Sequence, residues 1–206
     1  MKNIKIILSI ILVLCLSLIT STSYAQDSQK KQELGLMFQN MDNFGLIYRF
    51  GDENSLWRIS SIFGVTYNVN RDFTYPGDLN REKRELKYRK FELRFGKEFR
   101  VPINDHLKFR YGIDIFGAYS SDETDLDRSP GPSDYYSKHR DFQTGVGFII
   151  GFNLQINEKL AFGAEIMPRI RYYNNKDVIQ DQTFKYSGID MRISNSPAYL
   201  SLVYQF

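Results

Sequence analysis

The chain has 206 residues, with 27 Lys and Arg against 24 Asp and Glu, a formal net charge of +3, and a single cysteine. The near balance of charge excludes the basic footprint of a nucleic-acid binder, and one cysteine excludes an internal disulfide framework. The length suits one domain, and no internal repeat of roughly 20–50 residues is visible beyond a strand–turn rhythm.

Lys2 and Lys5 open the chain, and Ile6 to Ile19 form an apolar run broken by Ser9 and Ser17. Ser23-Tyr24-Ala25 then puts small residues at −3 and −1. This is the order of a secretory signal peptide, with cleavage expected after Ala25. A membrane-spanning helix is the alternative reading, but the apolar run of about fourteen residues falls short of the roughly 20 needed to cross. Cys15 lies within the run, and Leu14 occupies the place where a lipoprotein signal carries a small residue. Residues 1–25 are therefore read as signal and 26–206 as one domain, which keeps 25 of the 27 basic side chains, all 24 acids and no cysteine.

Period-2 alternation separated by turn residues predicts eight strands. The first, about 32–40, aligns Leu34, Leu36 and Phe38; after Met41-Asp42-Asn43 the second, about 43–51, aligns Phe44, Leu46, Tyr48 and Phe50. Asp52-Glu53-Asn54-Ser55 is a short turn. The third strand, about 56–70, aligns Trp57, Ile59, Phe63, Val65, Tyr67 and Val69. A charged loop is expected over 71–86, around Tyr75-Pro76-Gly77-Asp78. The fourth strand, about 87–101, carries Phe91, Leu93, Phe95, Phe99 and Val101 on one face, broken by Lys97. After the turn 102–106, the fifth, about 107–119, aligns Leu107, Phe109, Tyr111, Ile113, Ile115 and Tyr119. A second long loop is expected over 120–140, around Ser129-Pro130-Gly131-Pro132. The sixth strand, about 141–156, aligns Phe142, Val146, Phe148, Ile150, Phe152 and Leu154; after Asn157-Glu158-Lys159 the seventh, about 160–173, aligns Leu160, Phe162, Ile166, Ile170 and Tyr172. Pro168 cannot donate a ladder hydrogen bond, so a bulge or an outer-end position is expected there. A third long loop, 174–187, leads to the eighth strand, about 188–206.

The opposite face of these strands is rich in glycine and in both signs of charge: Arg58, Glu92, Arg94, Glu98, Arg100, Lys108, Arg110, Asp114, Glu165, Arg169 and Arg171. An eight-stranded barrel has an interior just wide enough for side chains to fill. Glycine and paired charges suit such a lumen, and the aromatic and aliphatic face then meets lipid. Short turns near 52, 104 and 158 against long connections near 78, 130 and 180 give the asymmetry of a transmembrane barrel; the short connection near 42 departs from it. The expected fold class is all-β, an eight-stranded antiparallel up-and-down transmembrane β-barrel. A soluble lipocalin-like secreted carrier, with the apolar face lining its cavity, is the alternative.

The signal ending Ser23-Tyr24-Ala25-Gln26, the eight alternating segments and the closing Leu200-Ser201-Leu202-Val203-Tyr204-Gln205-Phe206 make the chain resemble the small OmpA/OmpX-type outer-membrane barrels. It is most similar to the generic outer-membrane-barrel proteins of Bacteroidota. The resemblance implies a monomer in the outer membrane of a Gram-negative cell, surrounded by outer-membrane lipid. Leu200, Leu202, Tyr204 and Phe206 would be the signal read by the barrel-assembly machinery.

The activity expected is non-enzymatic: an envelope shell, or outer loops presented to an extracellular partner through Tyr75, Tyr135 and Tyr136. A narrow pore is a further reading, though the lumen charges suit a salt-bridged plug. Catalysis has one candidate, His139 beside Ser137, Asp134 and Asp141 in loop sequence, while His106 falls in a turn at the opposite end. Asp122 to Asp127 is acidic but lacks the glycine and spacing of a calcium loop. No cofactor, metal or nucleic acid is expected.

Overall fold

The computed structural model describes residues 30–68, 71–74, 81–129, 135–180, 182–192 and 198–206. The signal segment, Tyr75-Pro76-Gly77-Asp78 and Pro130 to Asp134 lie outside the described residues. All regular structure among the described residues is β-strand: β1 (Lys31–Phe38), β2 (Asn43–Asp52), β3 (Ser55–Asn68), β4 (Arg71–Thr74), β5 (Arg81–Pro102), β6 (Leu107–Ser129), β7 (Tyr135–Gln155), β8 (Leu160–Ile166), β9 (Arg169–Ile179), β10 (Gln182–Arg192) and β11 (Ala198–Gln205).

Eight of these close a ring. The antiparallel ladder runs β1-β2-β3-β5-β6-β7-β8-β11 and returns from β11 to β1, where Leu34 faces Tyr204 and Leu36 faces Leu202. Closure leaves no strand edge at this level. The fold is a closed eight-stranded antiparallel barrel.

Turn chemistry fixes the hairpins. Asn40, Asn104 and Asn157 each accept two backbone N–H bonds with Oδ1, from Asp42 and Asn43, His106 and Leu107, and Lys159 and Leu160. These are Asx turns, in which the side chain stands in for a backbone acceptor. Just before the Asp52–Ser55 turn, Gly51 takes φ +147°, a value that a side chain would strain.

Three expectations need correction. The segments read as long loops are mostly strand: β5 begins at Arg81, β6 runs to Ser129, β7 begins at Tyr135, and β9 and β10 cover 169–179 and 182–192. Pairing of β5 with β6 continues unbroken from Pro102↔Lys108 to Arg81↔Ser129. Here the described side chains are partly or fully exposed on both faces, and backbone pairing goes on without the apolar alternation. The wall therefore rises tall on the β5–β10 side and low at the β1–β2 connection.

Pro168 makes no bulge. Ile150↔Ile166 and Gly147↔Arg169 belong to one register, and Phe148 N–H still donates to Pro168 O at 2.8 Å. The eighth predicted strand is two. Arg192 pairs with Arg169 and Ala198 with Ile166, so six steps on one stave match three on its neighbour. An odd excess turns the alternation over: Asp190 points inward on β10, whereas Tyr199 and Ser201 point inward on β11.

The faces are inverted relative to a soluble barrel. Ile113, Phe148 and Phe162 stand on the outside, with Ile113 46% exposed, while Arg94 and Asp114 are buried within. Phe95, also outward, stacks at 5.3 Å on Trp57. Lys97, the break in the apolar face of β5, lies over the Trp57 ring at 4.6 Å. The lipocalin-like arrangement is thereby overturned.

Candidate functional site

The barrel interior holds two charge clusters at different heights. Nearer the short-turn end lie Glu33, Arg49, Arg58, Glu98, Arg100, Arg110, Asp114 and Glu165, all buried. Glu98 is the hub, touching Arg49 Nε at 3.1 Å, Arg58 Nη1 at 3.3 Å, Arg110 Nη1 at 3.3 Å and Arg100 Nε at 2.8 Å. Arg100 also donates two bonds to Glu33, at 2.6 and 2.7 Å. Arg58 donates two to Glu165, at 3.0 and 2.8 Å, and its Nε lies 3.3 Å from Asp114 Oδ2. Arg110 Nη2 reaches Glu165 at 3.2 Å.

Four arginines thus meet four carboxylates, and the cluster is neutral. Each ion taken from water costs several kcal/mol unless paired in good geometry, and bidentate guanidinium–carboxylate contacts supply that geometry. Close packing demands glycine opposite. A Cβ on Gly163 would lie 3.0 Å from Arg110 Nη2, and one on Gly96 would collide with Asp114 and the backbone of Ile113.

The second cluster lies toward the tall wall. Glu92 receives Arg94 Nε at 2.6 Å and Arg169 Nη2 at 3.4 Å, and Lys90 Nζ stands 4.0 Å away. Arg169 also donates to Tyr199 OH at 2.9 Å. The Arg94 guanidinium covers the Tyr199 ring at 4.0 Å, and that of Arg169 covers Phe116 at 4.7 Å. Met37, Ile47, Ile62, Ile149, Met167 and Tyr199 are buried in an apolar cluster. Above Glu92, Arg171 is bound to Asp190 at 2.7 and 2.8 Å, and Arg192 reaches the same carboxylate at 3.3 Å. Lys90, Glu92, Arg169, Arg171 and Arg192, with Gln39 and Gln143, line a cavity of about 210 Å³.

Ten of the eleven lumen residues named from sequence are buried inside the barrel. Lys108 is at the short-turn end, paired with Glu53 at 2.6 Å. Sequence reasoning omitted Glu33 and Arg49, although both have the inward parity of β1 and β2, and it omitted the inward apolar side chains.

The loop-sequence catalytic grouping is not assembled. His139 Nδ1 meets Asp177 Oδ1, and Tyr186 OH donates to the same carboxylate at 3.0 Å. Asp141 is hydrogen-bonded by Gln143. No hydrogen bond joins Ser137 to His139 among the described residues, and Asp134 lies outside them. The described residues also hold no group of three His, Cys, Asp or Glu arranged for a metal ion.

No protein-family model matches the sequence, and no curated protein matches it. Solved structures do. A major outer membrane protein from Thermus thermophilus is 10% identical, over 86% of this chain and 100% of that one, with a TM-score of 0.49. Neisserial surface protein A is 10% identical over 86% and 95%, with a TM-score of 0.37. CarO of Acinetobacter baumannii is 11% identical over 84% and 95%, with a TM-score of 0.38. The barrel assignment rests on the closed ladder rather than on these likenesses.

Proposed function

We propose that this chain is a non-enzymatic outer-membrane β-barrel of a Gram-negative envelope, its lumen plugged by the two charge clusters and the apolar side chains between them. One observation carries the reading: the inversion of faces. Leu93, Ile113, Ile115, Phe148, Phe152 and Leu202 stand outside the ring, each 40–61% exposed, while Arg49, Arg58, Arg110, Glu98 and Asp114 are sealed within. Water would favour the reverse; hydrocarbon favours this arrangement, because a ring leaves no unpaired backbone toward lipid. Outward Trp57, Tyr111, Tyr204 and Phe206 at one end and Tyr119 and Tyr172 at the other suit the two membrane interfaces.

The signal sequence supports export, and the resemblance to barrels of Bacteroidota supports the compartment. Residues 1–25 would be removed. The barrel works as a monomer in outer-membrane lipid, folded by the barrel-assembly machinery through Leu200, Leu202, Tyr204 and Phe206. Its tall hairpins serve envelope structure or contact with an extracellular partner.

The test is cell fractionation with heat-modifiable gel migration. The expected result is outer-membrane protein whose mobility changes on boiling; a soluble periplasmic product without that change overturns the reading. Planar-bilayer recording of purified protein is expected to be silent, and steady conductance would overturn the plug.

A further inference from the structure

The two charge clusters differ in balance. In the lower one, four arginines meet four carboxylates. In the upper one, Lys90, Arg94 and Arg169 share Glu92, and Arg171 and Arg192 share Asp190. The cavity wall itself carries four cations, Lys90, Arg169, Arg171 and Arg192, and one carboxylate, Glu92, with Asp190 and the buried Asp141 beside it; Asp122 and Asp177 lie further up the inward faces of β6 and β9. Arg169 is 7% exposed and lines the cavity, yet its Nε has no hydrogen-bond acceptor. Lys90 Nζ is held toward the cavity by Gln39 Oε1 at 2.9 Å. Excess buried charge of one sign is costly without a counter-charge, and low-dielectric walls strengthen the field on an incoming ion.

We propose that this vestibule binds a small multivalent oxyanion of the phosphate class, between Lys90, Arg169, Arg171 and Arg192. Guanidinium groups fit such an anion through paired N–H donors, and Gln143 and Ser120 add polar atoms to the wall. At about 30 Å³ per water, the cavity has room for phosphate bearing a small organic group. The floor at Glu92 and Arg169 stops the anion above the neutral cluster, which offers it nothing. The vestibule is thus a binding cup closed below.

The test uses the mature barrel in a maltoside detergent, taking only the heat-modifiable, folded fraction. Titration calorimetry is run with inorganic phosphate and with pyrophosphate at low salt. Saturable binding is expected, tighter for pyrophosphate and weakened by salt. Lys90→Gln is expected to weaken it about tenfold or more, the loss of one charge-assisted hydrogen bond. Arg192→Gln, at the exposed rim, gives a second variant that removes only the Arg192–Asp190 contact and leaves the Arg171–Asp190 and Glu92 pairs in place. Lys108→Gln, at the far end, is expected to bind as the parent does. No saturable heat with either anion, or equal affinity in parent, Lys90→Gln and Arg192→Gln, overturns the proposal. Binding only to phospholipid vesicles, and not to free phosphate or pyrophosphate, also overturns it. Failure to obtain heat-modifiable protein would count against the barrel reading instead.

Discussion

Arg58 and Glu165 are 107 residues apart in sequence and meet across the lumen in a two-point ion pair at 2.8 and 3.0 Å. Glu165→Gln removes that charge and leaves Arg58 and Arg110 to share Glu98 and Asp114. Breaking a buried pair from one side is expected to cost about 3–5 kcal/mol, read as a lower urea midpoint in lipid vesicles. The double variant Arg58→Met/Glu165→Leu keeps three arginines against three carboxylates. It is expected to lose less than the two single losses added together, by about 0.5–3 kcal/mol. Simple additivity would mean that the pair is not coupled.

Depth decides the cost of a charge on the outer face. Ile113 lies midway along the apolar stretch of β6, and Val101 lies at the short-turn end of β5. Ile113→Arg is expected to destabilise the barrel by about 2–4 kcal/mol in vesicles, and Val101→Arg by about 0–1 kcal/mol. Equal small losses at both positions would place this face in water.

Glycine positions separate the crowded interior from the open exterior. A Cβ on Gly96 meets Asp114 and the backbone of Ile113, whereas one on Gly117 meets nothing within 4 Å. Gly96→Ala is expected to cost about 1–3 kcal/mol through overpacking, and Gly117→Ala to be neutral. Equal thermal midpoints for the two variants would contradict the packed lumen.

On the tall wall above the apolar band, Lys138 Nζ donates to Glu123 at 2.9 Å. That hydrogen bond, with the lysine charge, holds the Glu123 carboxyl below its ordinary 4.5. A lowered folded-state value means that the contribution is fully present above about pH 4.5 and fades as pH falls through the lowered value. Protection of the amides in the upper β6–β7 ladder, after division by the intrinsic exchange rate at each pH, is expected to fall below about pH 4.5. Glu123→Gln should flatten this dependence. An unchanged dependence in that variant would assign it to other carboxylates.

What was legible followed from the solvent on each face. Between Phe91 and Val101 one side is apolar and the other charged, so alternation revealed both strand and orientation. Between Glu85 and Arg89 both faces are partly exposed, and the outward positions are Glu85, Lys87 and Arg89 in place of an apolar band, so the sequence there reads as loop. Where both sides are apolar, as at Leu46-Ile47 and Ile149-Ile150, alternation blurs, and the inward Ile47 and Ile149 of the plug were not singled out. Glu33 and Arg49 had the right parity, but their value lies in Arg100 and Glu98, partners brought together only by closure.

Closure itself depends on β11, which pairs with β1 on one side and β8 on the other. At its end, Phe206 N–H donates to Gln32 O at 3.1 Å, and its ring stacks on Tyr204 at 6.3 Å while remaining 62% exposed. Phe206→Ala keeps the backbone bond and removes a mostly exposed ring. Its effect on the stability of refolded protein in vesicles is expected to stay within about 0.5 kcal/mol. If the ring is read by the assembly machinery, the same variant accumulates several-fold less barrel in the outer membrane of cells, with unfolded chain in the periplasm. Native levels in cells would remove the recognition role. A matching loss of stability in vesicles would instead make the ring a structural element of the seam.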